Sequence, residues 1–339
     1  MGIRVTGILT TTWLRRSISF SVLFLLWFVF TFGFPLWILF AAILDRFQPG
    51  RRFPRIRCVL FFVLFLNCET IGLAASFWIW LAARFVKPKR KEYLLWNEKL
   101  QVWWTNSLLH GAMKIFSMKL VVEGEDQIPP GPILLFVRHS SSADTVLPTV
   151  LVTASQGVRL RFILKKELLW DPCLDVVGNR LPNVFIDRTG AHTERELAAI
   201  RVLVEKTGDR EGVLLYPEGT RFSEEKKRRY VRRLADTAPT AVYETATRFR
   251  HVLPPKPGGA LAVLASAPEN AVVFCMHTGL EGSASFHEFW NGGLIGITIR
   301  VAFRRVKAST IPVDPQSRLQ WLYDRWLEVD DWIDRHKKK

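Results

Sequence analysis

Cysteine is scarce in this chain. The four cysteines, Cys58, Cys68, Cys173 and Cys275, show no paired spacing. Cys58 and Cys68 lie at or within an apolar stretch, so neither a disulfide framework nor a zinc site is suggested. There is no Gly-x-Ser-x-Gly elbow and no cysteine placed as a nucleophile, which argues against a covalent intermediate on the protein. His110, His192, His251, His277 and His287 read as surface or packing residues and His336 lies in a basic tail. None has a metal-ligand partner at helical spacing. Acidic residues are outnumbered, 31 against 47 Lys and Arg, leaving a formal charge of +16. That balance calls for an anionic partner, nucleic acid or a membrane surface. No nucleic-acid motif is present and the basic residues flank apolar segments, which decides for membrane. Internal repeats are also missing.

Hydrophobic residues are plentiful, 49% with 24 Phe and 13 Trp, which is rich for a soluble protein. Residues 18–44 carry one charge-free run, longer than the ~20 residues needed to span a bilayer. Arg15 and Arg16 precede it and no small-residue cleavage site follows, so the run is read as retained rather than as a signal peptide. Gly33 and Pro35 fall inside it and predict a kink. A second run, 59–83, is interrupted only by Asn67, Glu69 and Thr70, and Glu69 must face protein, water or headgroups. Basic residues flank both runs on every side. Two full crossings would send Arg46, Arg51, Arg52, Arg55 and Arg57 to the far side, against the positive-inside tendency. A re-entrant hairpin keeps them all on the cytoplasmic face. Both topologies remain open at this stage.

The expected organisation is a membrane-anchoring region over 1–92 and a second domain over 93–339. A helix over 93–116 carries Trp96, Trp103 and Trp104, suited to the headgroup level or to a core stripe. From there strands and helices alternate. Strands are expected at 118–122, 133–137, 160–164, 184–186, 213–216, 271–276 and 296–304. Helices are expected at 142–153, 193–206, 240–250, 260–267 and 314–334, with Thr193 and Glu196 in a capping-box pattern. The fold class is therefore α/β, a central mixed sheet covered by helices and preceded by the hydrophobic hairpin. Residues 224–233 form the only long charge run, read either as a solvated face or as a phosphate contact.

Several apolar runs end abruptly in polar residues, as buried strands do when they deliver side chains to a sheet rim. The first ends in Arg138-His139-Ser140-Ser141-Ser142-Ala143-Asp144. With His139 in a strand-to-helix turn and Asp144 in the first helical turn, the carboxylate can fold back on the imidazole, fix its tautomer and leave the other nitrogen to take a proton. Ser140, Ser141 and Ser142 read as turn and cap residues. A second run ends at Arg188, and a third in Pro217-Glu218-Gly219-Thr220-Arg221, where Gly admits a phosphate to the main chain and Arg fits it bidentately.

In this order and spacing, with a weaker block at Leu253-Pro254-Pro255-Lys256-Pro257-Gly258-Gly259, the chain resembles the glycerolipid and lysophospholipid acyltransferases over roughly 120–310. The resemblance implies a membrane-bound O-acyltransferase. His139 would deprotonate a lysolipid hydroxyl as it attacks a thioester carbonyl, with Asp144 orienting the ring. Acyl-coenzyme A or an acyl carrier protein thioester would be the donor, and no resident cofactor or metal is implied. The acceptor, foremost 1-acylglycerol-3-phosphate giving phosphatidic acid, would bind through Arg188, Glu218, Gly219, Thr220 and Arg221. Glycerol-3-phosphate or another lysophospholipid is the alternative acceptor, and a non-enzymatic tether for anionic lipid is the alternative class. Membrane lipids are the expected partners and the cytoplasmic face of a membrane the expected location. Oxyanion donors are sought among backbone amides near His139 or Gly219. The chain departs from the family where Arg138 replaces the Asn often preceding the base, and where Pro255 and Lys256 stand in place of Arg-Thr.

Overall fold

A computed structural model describes residues 3–47, 50, 52–187 and 193–337, with side chains from Thr12 onward and again from Glu194. The first apolar run is broken where expected. Helix α1 (Ile3–Phe32) stops at Gly33, and α2 (Phe34–Arg46) carries Pro35 in its first turn, which has no N–H to continue the ladder. Trp37 Nε1 bridges the break by donating to Val29 O at 3.1 Å. Helix α3 (Pro54–Val86) runs back along the pair. Its start is held by the buried Asp45, whose carboxylate accepts from the Arg55 and Ile56 amides at 3.1 Å, as an acid at a helix N-terminus should. Helix α4 (Arg90–Phe116) packs on α3. A Cβ on Gly111 would lie 2.2 Å from Leu64 Cδ2, so any larger residue there would have to displace the Leu64 side chain. The tryptophans of α4 divide between the two expected roles: Trp104 packs in a cluster with Leu66, Leu73 and Cys173, and Trp103 is exposed.

The remaining chain is a seven-stranded mixed sheet: β1 (Lys119–Glu123), β2 (Ile133–Val137), β3 (Arg159–Lys165), β4 (Val184–Ile186), β5 (Glu211–Leu215), β6 (Ala271–Thr278) and β7 (Thr298–Val306). The order is β1-β7-β6-β2-β5-β3-β4. Every neighbouring pair is parallel except β6 with β7. The central strands read as continuous apolar runs because both faces are covered. From β2, Leu134 and Phe136 join one core while Ile133, Leu135 and Val137 join the other. The first core is roofed by α5 (Thr193–Glu205), α7 (Thr240–Thr247), α8 (Pro257–Ser266) and α10 (Pro315–Lys337), with α6 (Glu224–Thr237) beside α7. The short helix α9 (Phe286–Trp290) lies near α3, and the second core takes in Leu109 and Phe116 of α4. Helix α10 is more apolar on one face than its composition suggests. Leu322, Trp326, Val329 and Ile333 repeat at helical spacing and are all buried.

One expected element is present in altered form: the helix expected at 142–153 is the apolar helical stretch Ala143–Ala154. Residues 142–153 do not form a single α-helix. They fold as a tight helical turn, Ala143–Val146, and a wider one, Thr149–Ala154. The carboxylate of Asp144 captures the amides of Ser140 and Ser141, which pulls the chain into a turn before a regular helix can start. The charge run at 224–233 lies in α6, whose Ser223 cap accepts from Lys226 N at 3.3 Å.

Candidate active site

The strands β2, β5 and β6 are parallel neighbours, so their C-terminal ends share one rim. His139 follows β2 there. Its Nδ1 lies 3.0 Å from Asp144 Oδ1. Asp144 is fully buried, and its Oδ2 accepts from the amides of Ser140 at 2.7 Å and Ser141 at 2.9 Å. Burial alone would raise this carboxyl. The hydrogen bond from His139, the electrostatic pull of the His139 and His277 N–H groups and the Ser141 amide outweigh burial and hold it below the ordinary carboxylate range. An ionised carboxylate on Nδ1 assigns the ring proton to Nδ1, which leaves Nε2 as the acceptor. The His139 side chain keeps 15% of its exposure, enough to meet a substrate. The Tyr216 ring packs on it with centroids 4.7 Å apart.

The Pro217–Arg221 block turns over the same rim. Glu218, expected at the acceptor, instead faces inward with no exposed surface. Its two oxygens accept from His139 N and Leu253 N, each at 2.9 Å. The carboxylate thus ties three chain segments together from behind the base, and burial pushes its pKa up to about 8. The amides proposed as oxyanion donors are also occupied: His139 N by Glu218, and Gly219 N by Tyr216 O at 2.9 Å. Gly219 has φ +67°, and a Cβ there would lie 2.9 Å from Lys256 Cδ. Thr220 Oγ1 accepts from Lys226 Nζ at 3.3 Å. Arg221 is exposed and donates from Nη1 to Ser142 Oγ at 3.1 Å, so its guanidinium reaches the loop that carries His139 and Asp144. Ser142 thereby acts as a polar contact for Arg221. Arg188 follows β4 and lies outside the described residues, as does His192.

Sequence reading missed two members of the site. His277, which the sequence offers as a surface or packing residue, is fully buried on β6 with Nε2 3.6 Å from Asp144 Oδ2. Glu281 pairs with the buried Arg138, Nη1 to Oε1 at 2.6 Å. The only local signal was the charged Arg138 ending an apolar strand, which demands a buried counter-ion somewhere in the fold. Among the described residues no cluster of His, Cys, Asp or Glu is arranged to hold a metal ion.

A family model described as Acyltransferase matches residues 119–277. Three solved protein chains match in structure. Among them is the 1-acyl-sn-glycerophosphate (LPA) acyltransferase PlsC from Thermotoga maritima, with TM-score 0.53 and 15% identity, covering 84% of this chain and 98% of that one. At that identity the likeness concerns the fold. No curated protein sequence matches. The region matched by the family model begins with β1 and ends on His277, so it contains every site residue named above except Glu281.

Proposed function

We propose that this chain, whose residues 119–277 match the acyltransferase family model, is a membrane-bound enzyme of the glycerolipid acyltransferase type that acylates a lysophospholipid, foremost 1-acylglycerol-3-phosphate. The observation that carries this reading is the buried Asp144 held on His139 Nδ1 at 3.0 Å, which leaves Nε2 as the base at a rim shared with Arg221. His139 takes the proton of the acceptor hydroxyl while the oxygen attacks the thioester carbonyl. The C–S bond breaks, and the thiol leaves with the proton returned from the imidazolium. Acyl-coenzyme A or an acyl carrier protein thioester is the co-substrate, and no resident cofactor takes part. Arg221 and Arg188 are assigned to the acceptor phosphate, with Gly219 and Thr220 at the turn beside it. Glu218 acts by positioning the His139 and Leu253 backbones.

Two helical stretches, Thr12–Phe32 and Pro54–Val86, are long and apolar enough to cross a membrane. We read them as lying in one leaflet. Helix α3 is tied to the α/β domain from Cys58, whose Sγ lies 3.4 Å from Phe289 O, to Ser76, whose carbonyl accepts from Arg180 at 2.8 Å. Eighteen residues of helix are about 27 Å, nearly the ~30 Å bilayer core. A full crossing would carry a polar domain edge into hydrocarbon. Exposed Phe24, Phe28, Leu36, Phe40, Phe77 and Trp78 supply the lipid face, and the basic flanks favour the cytoplasmic side.

The test is an acceptor panel: membranes bearing the protein, labelled oleoyl-coenzyme A, and lysolipids that differ in headgroup. Acylation of lysophosphatidic acid, with Arg221→Lys raising the acceptor KM more than the donor KM, is the expected result. A shift in the donor curve alone would assign the block to coenzyme A. Absence of transfer to every acceptor would overturn the enzymatic reading in favour of a lipid tether.

A further inference from the structure

Strands β2 and β6 end in an exchange between two buried side chains. His277 Nε2 lies 2.9 Å from Arg138 O, and Arg138 Nη1 donates to His277 O at 2.7 Å. Each residue's side chain therefore holds the other's carbonyl. A carbonyl only accepts, so the His277 proton sits on Nε2. The same N–H lies 3.6 Å from Asp144 Oδ2, on the side of the carboxylate away from His139. Burial holds His277 below its ordinary pKa, with Arg138 acting in the same direction and Asp144 and Glu281 opposing, so the ring stays neutral. Arg138, 1% exposed, is balanced by Glu281. That carboxylate also accepts from Gly279 N at 2.7 Å and Thr278 Oγ1 at 3.1 Å. The remaining guanidinium arm donates to His251 O at 3.2 Å.

The placement of this clamp gives it consequence. The Arg138 carbonyl belongs to the peptide group whose nitrogen is that of His139, and that amide is held in turn by Glu218. Fixing both ends of one peptide plane fixes where the His139 Cα and ring begin. The His277 N–H adds a partial positive charge beside Asp144 Oδ2. We infer that His277, clamped reciprocally with Arg138 and anchored through Glu281, is a positioning residue that aligns the His139–Asp144 pair from the far side of the carboxylate. It does not touch the substrate. Its effect falls on kcat and leaves both KM values near wild type, because misalignment by about 1 Å costs up to ~100-fold in rate without removing a binding contact.

The inference rests on the acyltransferase reading, and the test separates the two. The informative pair is His277→Gln and His277→Asn. Gln carries an amide N–H at a reach comparable to Nε2 and can donate to Arg138 O. Asn is equally polar but stops short of that carbonyl. Transfer from acyl-coenzyme A to lysophosphatidic acid is measured for each, with thermal melting as the folding control. The expected result is a kcat within about threefold of wild type for Gln and roughly 10- to 100-fold lower for Asn, with both KM values near wild type. Equal kcat values for the two, or a loss that appears in KM, would overturn the positioning role. A parallel fall in kcat and melting temperature for both variants would assign His277 to packing. An inactive wild type would instead count against the acyltransferase reading itself.

Discussion

Asp144→Asn is the sharpest perturbation of the base, because the surroundings dictate which way the amide must lie. Asp144 Oδ2 accepts from two buried backbone amides, Ser140 N at 2.7 Å and Ser141 N at 2.9 Å. Turning the Asn NH2 toward them would face donor with donor. Each buried amide left without an acceptor costs about 1–3 kcal/mol, so that orientation is disfavoured by about 2–6 kcal/mol, or at least ~30-fold. The Asn oxygen therefore stays on the two amides and its NH2 points at His139 Nδ1, now 3.0 Å from a donor. Nδ1 becomes the acceptor, the ring proton moves to Nε2, and the atom that should take the substrate proton already holds one. The folded structure is retained because the turn keeps its acceptor. The expected outcome is a fall in kcat of about 10²–10⁴, with KM for both substrates within about threefold and little change in melting temperature. Saturation curves in both substrates measure this, with intact mass to exclude deamidation back to Asp. A kcat within tenfold of wild type in protein of verified mass would refute the tautomer argument.

Three further outcomes follow from the geometry. Gly219→Ala forces a side chain into φ +67° and against Lys256 Cδ at 2.9 Å; a loss of about 1–2 kcal/mol in stability and a raised acceptor KM are expected, and unchanged melting and kinetics would show the turn to be tolerant. The Glu281 carboxyl is opposed by burial but held by Arg138 at about 2, below its ordinary 4.5. Its stabilisation is full above pH 4.5 and lost as pH falls through 2, roughly 3 kcal/mol in all; the difference in melting temperature between wild type and Glu281→Gln should shrink over that window, and a difference independent of pH would refute the pairing. Arg52→Cys, in protein whose four native cysteines are replaced, should react with an impermeant thiol reagent only from the cytoplasmic face, and labelling from outside sealed cells would establish a two-pass topology.

Periodicity and composition carried the architecture. The apolar runs at 133–137 and 271–276 form strands because β-sheet burial on two faces leaves a local signature in the chain. Gly33 and Pro35 marked the helix break for an equally local reason, the missing donor and the absent side chain. The pairing of His139 with Asp144 was also legible, since both partners lie within five residues and one turn joins them. What spacing could not convey was anything that depends on strand order. His277 lies far along the chain from Asp144, and only the parallel pairing of β2 with β6 brings its ring to that carboxylate. Glu281 is hidden for the same reason, as the counter-ion that lets Arg138 end a buried strand. Glu218 illustrates the converse. The motif singled out the residue, but its direction was decided by two backbone amides from distant segments, His139 and Leu253, whose unmet hydrogen bonds in the interior draw the carboxylate inward. Residue type and local geometry are properties of the chain, whereas the direction of a buried polar group is set by whichever unsatisfied partners the fold brings beside it.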